Sequence, residues 1–93
     1  DAAAALAAAY DARIPLLVGD AVNDVQPSGV RGIGRPIHTM TQVFIGLPLV
    51  DNGYLEDVAR EAAARNRWEF MISWQITSVP GGTASPFNAI ATF

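Results

Sequence analysis

Cysteine is absent from this chain. That excludes a disulfide framework, a thiolate metal site and a thiol nucleophile. Lysine is absent as well, and all six basic residues are arginines, scattered at Arg13, Arg31, Arg35, Arg60, Arg65 and Arg67. With a formal net charge of -3 there is no broad basic footprint, so nucleic acid is not an expected partner. Histidine occurs once, at His38. No apolar run approaches the ~18–20 residues that span a bilayer, so no membrane partner is expected. The alanine-rich start opens on Asp1 and lacks the make-up of a signal peptide, which points to a cytoplasmic location.

What is present is globular: 93 residues, 51% of them hydrophobic, enough for one domain and too apolar for disorder. The chain does not open on Met and enters a helical pattern at once. It also carries more apolar strand candidates than its length can cover. The expectation is a segment that needs a partner, either the rest of a longer chain or a second copy.

Along the chain, Ala2–Arg13 reads as a helix on alanine propensity, with Leu6 and Tyr10 at i,i+4 spacing, Asp1 at the favourable end, and Pro15 as the stop. Leu16–Val18 is a short buried strand closed by Gly19-Asp20. Ala21–Gln26 is ambiguous, and Pro27–Pro36 is a turn-rich loop whose glycines do not form a dinucleotide fingerprint. His38–Ile45 carries two patterns. Met40, Phe44 and Leu47 are helix-spaced with Gly46 as a stop, while Thr39, Thr41, Val43 and Ile45 fit one face of a strand; helix is preferred. Leu47–Val50 is a strand with Pro48 at an edge or irregular position.

Tyr54–Arg65 is the clearest helix. Leu55, Val58, Ala59, Ala62 and Ala63 form one stripe, and Glu56–Arg60 and Glu61–Arg65 are i,i+4 pairs. Asn52 or Gly53 is expected to cap its start and Asn66 to close its end. Trp68–Val79 is the clearest strand, with Trp68, Phe70, Ile72, Trp74 and Ile76 on one face. Pro80-Gly81-Gly82 ends it, and Phe87–Phe93 is a last strand.

The stretch Pro36–Asn52 holds the candidate chemistry. It begins beside His38 and reaches Asp51 after an apolar run. On spacing alone a lone histidine is more often a hydrogen-bonded structural residue than a ligand. Asp51 reads equally as a helix N-cap or as a ligand at the carboxyl end of a strand. A zinc or manganese site needs about three or more protein ligands, so one histidine cannot complete a histidine-rich site. Ser85 lacks the G-x-S-x-G elbow, with Pro86 where a helix would start. A turn, or substrate contact through the loop backbone, suits it better than nucleophilic attack.

An ordered set of short matches completes the reading: Leu17-Val18-Gly19-Asp20-Ala21-Val22-Asn23-Asp24, Pro36-Ile37-His38, Leu49-Val50-Asp51-Asn52, Trp68-Glu69-Phe70, and Gly81-Gly82-Thr83-Ala84-Ser85-Pro86-Phe87-Asn88-Ala89-Ile90-Ala91. Over nearly its whole length the chain resembles the C-terminal half of the cyclase-like metal-dependent hydrolases, the family of kynurenine formamidase and isatin hydrolase. The resemblance implies an α/β fold, part of a swivelling β/β/α domain with a mixed sheet and flanking helices, residues 1–93 forming its C-terminal segment.

The same resemblance implies hydrolysis of a small-molecule amide or cyclic amide by water activated on a divalent metal, zinc or manganese. His38 matches the family's C-terminal histidine, a catalytic and metal-binding position. Asp51 matches an acidic metal-binding position where many members carry Glu. Thr83 and Ser85, in the matched loop, are the candidate substrate-binding residues; Ala84 stands there in place of a common glycine. The family's H-x-G-T-H-x-D-x-P motif is not in this sequence. The main metal ligands are therefore expected from a missing N-terminal half, or the chain is a non-catalytic structural or interaction domain on the same scaffold. The resemblance also suggests a homo-oligomer.

Overall fold

A computed structural model describes residues 2–93. Asp1, expected to favour the start of the first helix, lies outside them. The architecture is mixed α/β: helices with one parallel and one antiparallel two-stranded sheet, where the sequence reading expects a single mixed sheet. The chain divides into two compact units at Gly53/Tyr54. Among the described residues no helix is long and apolar enough to cross a membrane.

In the first unit, helix α1 spans Ala2–Asp11. It closes with two backbone bonds, Arg13 N–H to Tyr10 O at 3.0 Å and Ile14 N–H to Ala9 O at 3.3 Å, around Arg13 in the left-handed region at φ 53. These are the paired bonds of a Schellman ending, and Pro15 then forbids a further turn. Of the expected Leu6/Tyr10 pair, Leu6 is buried and Tyr10 exposed.

Strand β1 (Leu17–Val18) pairs in parallel with β2 (Leu49–Val50), Leu17 opposite Leu49 and Val18 opposite Val50. Leu47 and Pro48, read as strand from sequence, lead into β2. Leu47 is buried, and Pro48 contributes its carbonyl to Leu17 N–H at 3.0 Å. The ladder continues past both strands as Gly19 N–H to Val50 O (3.0 Å), Asn52 N–H to Ala21 O (3.1 Å) and Gly53 N–H to Gly19 O (2.7 Å). This stitching brings the segment after β1 alongside the segment after β2, where Asp51 sits.

Between the strands lies a continuous helical stretch. Helix α2 (Pro36–His38) starts with proline at its first position, where a missing N–H costs nothing. It runs directly into a π-helical segment, Thr39–Ile45, that ends at Gly46 in the left-handed region. The helical spacing therefore prevails over the strand alternation of the same residues. Thr41 is fully buried, its hydroxyl bonded to Ile37 O at 2.9 Å. Helix α1 packs on α2 and on the π-helical segment.

In the second unit, helix α3 runs Glu56–Arg65 and closes at Asn66, left-handed at φ 47, in a second Schellman ending. Three expectations for this helix are corrected. Leu55, without a side-chain cap bond, stands at the N-cap position; the Asn52 and Gly53 amides are committed to the β1–β2 stitching. Arg60 pairs with Asp57 at 3.0 Å rather than with Glu56, whereas Glu61–Arg65 forms as expected at 3.2 Å. Of the apolar stripe only Ala62 is buried.

Strand β3 (Met71–Gln75) pairs antiparallel with β4 (Asn88–Thr92), centred on Ser73 opposite Ile90. The long strand expected over Trp68–Val79 is thus confined to its middle, because only Met71–Gln75 meets a partner strand. Phe70 packs against Phe93 at 5.0 Å between ring centroids and Trp74 against Phe87 at 5.6 Å, both pairs tilted, and the Arg65 guanidinium lies over the Phe93 ring. Trp68, Ile72, Trp74 and Ile76 stay exposed, so the aromatic strand face does not become a core.

Candidate functional site

The first unit converges on His38. Its ring is held at both nitrogens: Nδ1 lies 2.7 Å from Asp24 Oδ2, and Nε2 lies 2.7 Å from Asp51 Oδ2. Asp24 and Asp51 come from the segments that follow β1 and β2, and the parallel ladder places those segments side by side.

Asp24 does two things at once. Its Oδ1 accepts the Ile37 N–H at 2.8 Å and its Oδ2 accepts the His38 N–H at 2.9 Å. With Arg35 at the N-cap position and Pro36 at N1, these are the N2 and N3 amides that a capping side chain normally satisfies. Arg35 makes no side-chain cap bond. The cap is supplied instead by a residue 13 to 14 positions upstream. Helix capping and ring orientation are therefore one interaction. The carboxylate sits under the first helical amides and reaches the imidazole that the same turn projects.

Asp51 is held from its other oxygen. Its Oδ1 accepts the Asn23 backbone N–H at 2.8 Å and the Asn23 side-chain amide at 2.7 Å. The Asn23 amide also donates to Val50 O at 3.0 Å. The N-cap reading of Asp51 does not hold, since α3 starts at a different residue; the carboxylate faces His38 instead.

Burial ranks the three side chains: Asp24 is 2% exposed, His38 18% and Asp51 28%. Burial alone would push both carboxyls up. For Asp24 the His38 and Ile37 amides, then the His38 ring, outweigh it, and the group is held below 3.8. For Asp51 the Asn23 amides and the His38 ring do the same. Burial would lower the His38 pKa, but the hydrogen bonds and charges of the two carboxylates raise it above 6.5. In its protonated form the ring donates to both acids, and the trio then carries one net negative charge.

The donor set tests a divalent metal. His38 Nε2 and Asp51 Oδ2 are ligand atoms of the types that zinc and manganese accept, and Asp24 on the far nitrogen is the usual orienting carboxylate of a metal-binding histidine. Exchanging the shared proton for a dication would cancel the negative charge of the trio. The pair supplies two donors. Among the described residues no group of three or more His, Cys, Asp or Glu side chains is placed to hold a metal ion. The residues fit part of a metal site, with the remaining donors to come from elsewhere.

The structure thus brings together His38 and Asp51, both expected from the sequence, and adds Asp24. The sequence held one hint of Asp24. A helix beginning Gly34-Arg35-Pro36 has proline at N1 but no Ser, Thr, Asp or Asn before it, so its cap has to come from a distance. Thr83 and Ser85 belong to the second unit, in the loop between β3 and β4, where the Ser85 hydroxyl bonds Pro86 O at 3.3 Å. Ile76, Val79, Gly82, Thr83 and Ser85 border a shallow hollow of about 330 Å³ there. A larger depression of about 470 Å³ lies in the first unit by the end of α1, bordered by Tyr10, Arg13, Ile45 and Pro48, and contains none of the trio.

Gly19 supports the site from behind. A Cβ built there would lie 2.7 Å from Asn23 Oδ1, and the Asn23 amide is already tied to Val50 and Asp51. Gly19→Ala is expected to displace Asn23, loosen Asp51 and cost about 1–3 kcal/mol, the range for overpacking. Urea denaturation checks the loss, and an unchanged midpoint would show that Asn23 yields freely.

No protein-family model matches this chain, and neither does any curated protein or solved structure.

Proposed function

We propose that this chain carries the C-terminal part of the active site of a metal-dependent amide hydrolase, of the cyclase-like kind that its motifs resemble. In this reading it is a segment of a swivelling β/β/α domain in a cytoplasmic enzyme acting on a small amide or cyclic amide. The observation that carries the reading is the His38 geometry: Nε2 faces Asp51 Oδ2 at 2.7 Å while Asp24 holds Nδ1. His38 and Asp51 would hold a zinc or manganese ion together with donors from another segment or another copy. When bound, such an ion acidifies a water and polarises the amide carbonyl. The chain's own contribution is to aim Nε2 and to keep Asp51 ionised at its side. Exposed Trp68, Met71 and Ile76 suit a partner layer, whether a missing half or a second copy.

The test is metal-dependent turnover of an aryl formamide and of a cyclic amide, with this chain joined to an N-terminal half that carries H-x-G-T-H-x-D-x-P. His38→Ala is expected to lower kcat by about 10²–10⁴-fold, the usual contribution of a positioned acid–base group. Unchanged turnover would remove His38 from the mechanism.

A second reading is favoured by one observation: both ring nitrogens of His38 are already satisfied by carboxylates. The trio is then a structural clamp in a non-catalytic interaction domain. Stoichiometric zinc binding by the chain that is lost in Asp51→Ala, together with turnover, would reject it.

A further inference from the structure

The geometry points to Asp24 as a positioning residue that decides which nitrogen His38 offers: it keeps the proton on Nδ1, so that Nε2 is the atom free to bind a cation or exchange a proton. This rests on the reading of His38 as the working group of the site.

The ring has two neutral forms, and their surroundings differ. With the proton on Nδ1, the 2.7 Å bond to Asp24 is kept, and the Nε2 lone pair faces Asp51 Oδ2. That repulsion is easily relieved, because the Asp51 side chain is 28% exposed and can turn toward water or a cation. With the proton on Nε2, the Nδ1 lone pair would stand 2.7 Å from an oxygen of the Asp24 carboxylate, a side chain that is 2% exposed. Asp24 cannot turn away, because the Ile37 and His38 amides pin both of its oxygens. Water cannot screen the contact at that depth, and an unpaired buried polar contact is costly. Asp24 therefore works through the ring on the atom at its far side, as the outer carboxylate of a metal-binding histidine does.

Long-range proton–nitrogen NMR on the ¹⁵N-labelled 93-residue chain reads the tautomer directly, at a pH where the ring is neutral. The wild-type chain is expected to show a protonated Nδ1 and a bare Nε2. A protonated Nε2, or an even mixture, would overturn the proposal. Asp24→Ala removes the acceptor at Nδ1 and is expected to move the proton to Nε2, where Asp51 Oδ2 accepts it, whereas Asp51→Asn is expected to leave it on Nδ1. An Asp24→Ala chain that folds and keeps the wild-type tautomer would also overturn the assignment. Should that variant fail to fold, the wild-type spectrum alone decides. Zinc added to the chain joined to an N-terminal half carrying H-x-G-T-H-x-D-x-P separates the two ideas. Absence of zinc binding by that protein counts against the metal reading and leaves the tautomer result standing. If zinc binds, Asp24→Ala is expected to weaken it by about 10–100-fold.

Discussion

Asp24→Ala is expected to destabilise the first unit by about 3–5 kcal/mol, the cost of removing one partner from a buried ion pair. Three groups lose their acceptor together: the Ile37 amide, the His38 amide and His38 Nδ1. Cap loss alone contributes about 0.5–2 kcal/mol of that total. A unit this size is stable by only a few kcal/mol, on the scale of about 0.05–0.15 kcal/mol per residue, so the variant should sit close to its unfolding midpoint. Both tryptophans, Trp68 and Trp74, belong to the second unit. The loss is therefore best followed by urea titration with amide NMR on residues of the first unit, not by fluorescence. Asp24→Asn retains one acceptor oxygen and should lose about half as much on the same principle. A loss below about 1 kcal/mol for Asp24→Ala would show that the cap and the ion pair are replaceable by solvent.

The second large effect is the pH profile of stability. His38 has a raised pKa in the folded chain. Its contribution is fully present below the unfolded value near 6.5 and is lost as pH rises through the folded value. Asp24 and Asp51 have lowered values. Their contributions are present above 3.8 and are lost as pH falls through their folded values. Stability of the first unit should therefore peak between those two unfolded values and decline on either side. Urea midpoints measured from about pH 3 to pH 9 trace the curve. In His38→Gln the alkaline decline is expected to vanish. The whole profile should also fall, because two carboxylates then face each other without a cation between them. A profile that stays flat from pH 5 to about pH 9 in the wild-type chain would mean that His38 titrates alike in the folded and unfolded chains and gains nothing from the two carboxylates.

These expectations rest on a residue that local sequence reading does not single out. Elements whose cause is local were legible. Alanine propensity and Pro15 mark α1, the apolar spacing and the Asn66 stop mark α3, and alternation with flanking glycines marks the β3–β4 hairpin region. The helical nature of Thr39–Ile45 was legible too, through Met40, Phe44 and the Gly46 stop, although its π-helical form was not. What failed was partner choice. Glu56 and Asp57 both lie within reach of Arg60 on one helix face, and the i,i+3 pair forms instead of the expected one. The long strand at Trp68–Val79 is limited by where β4 can pair, which alternation within one strand does not encode.

His38 and Asp51 stood out because their chemistry is rare in this chain: the single histidine, and an acid at the end of an apolar run. By itself the sequence determined the mixed helix and strand content, the loop from Pro27 up to the start of α2 at Pro36, and the absence of any thiolate or lysine chemistry. Only the tertiary structure decided that Asp24 belongs to the site and that Asp51 faces the ring instead of capping α3. The physical reason is that both depend on the parallel pairing of β1 with β2. That pairing joins residues far apart in the chain and sets the segments after the two strands edge to edge. It places one carboxylate beneath the uncapped turn of α2 and the other across the imidazole, arrangements that follow from strand register and have no signature in residue spacing.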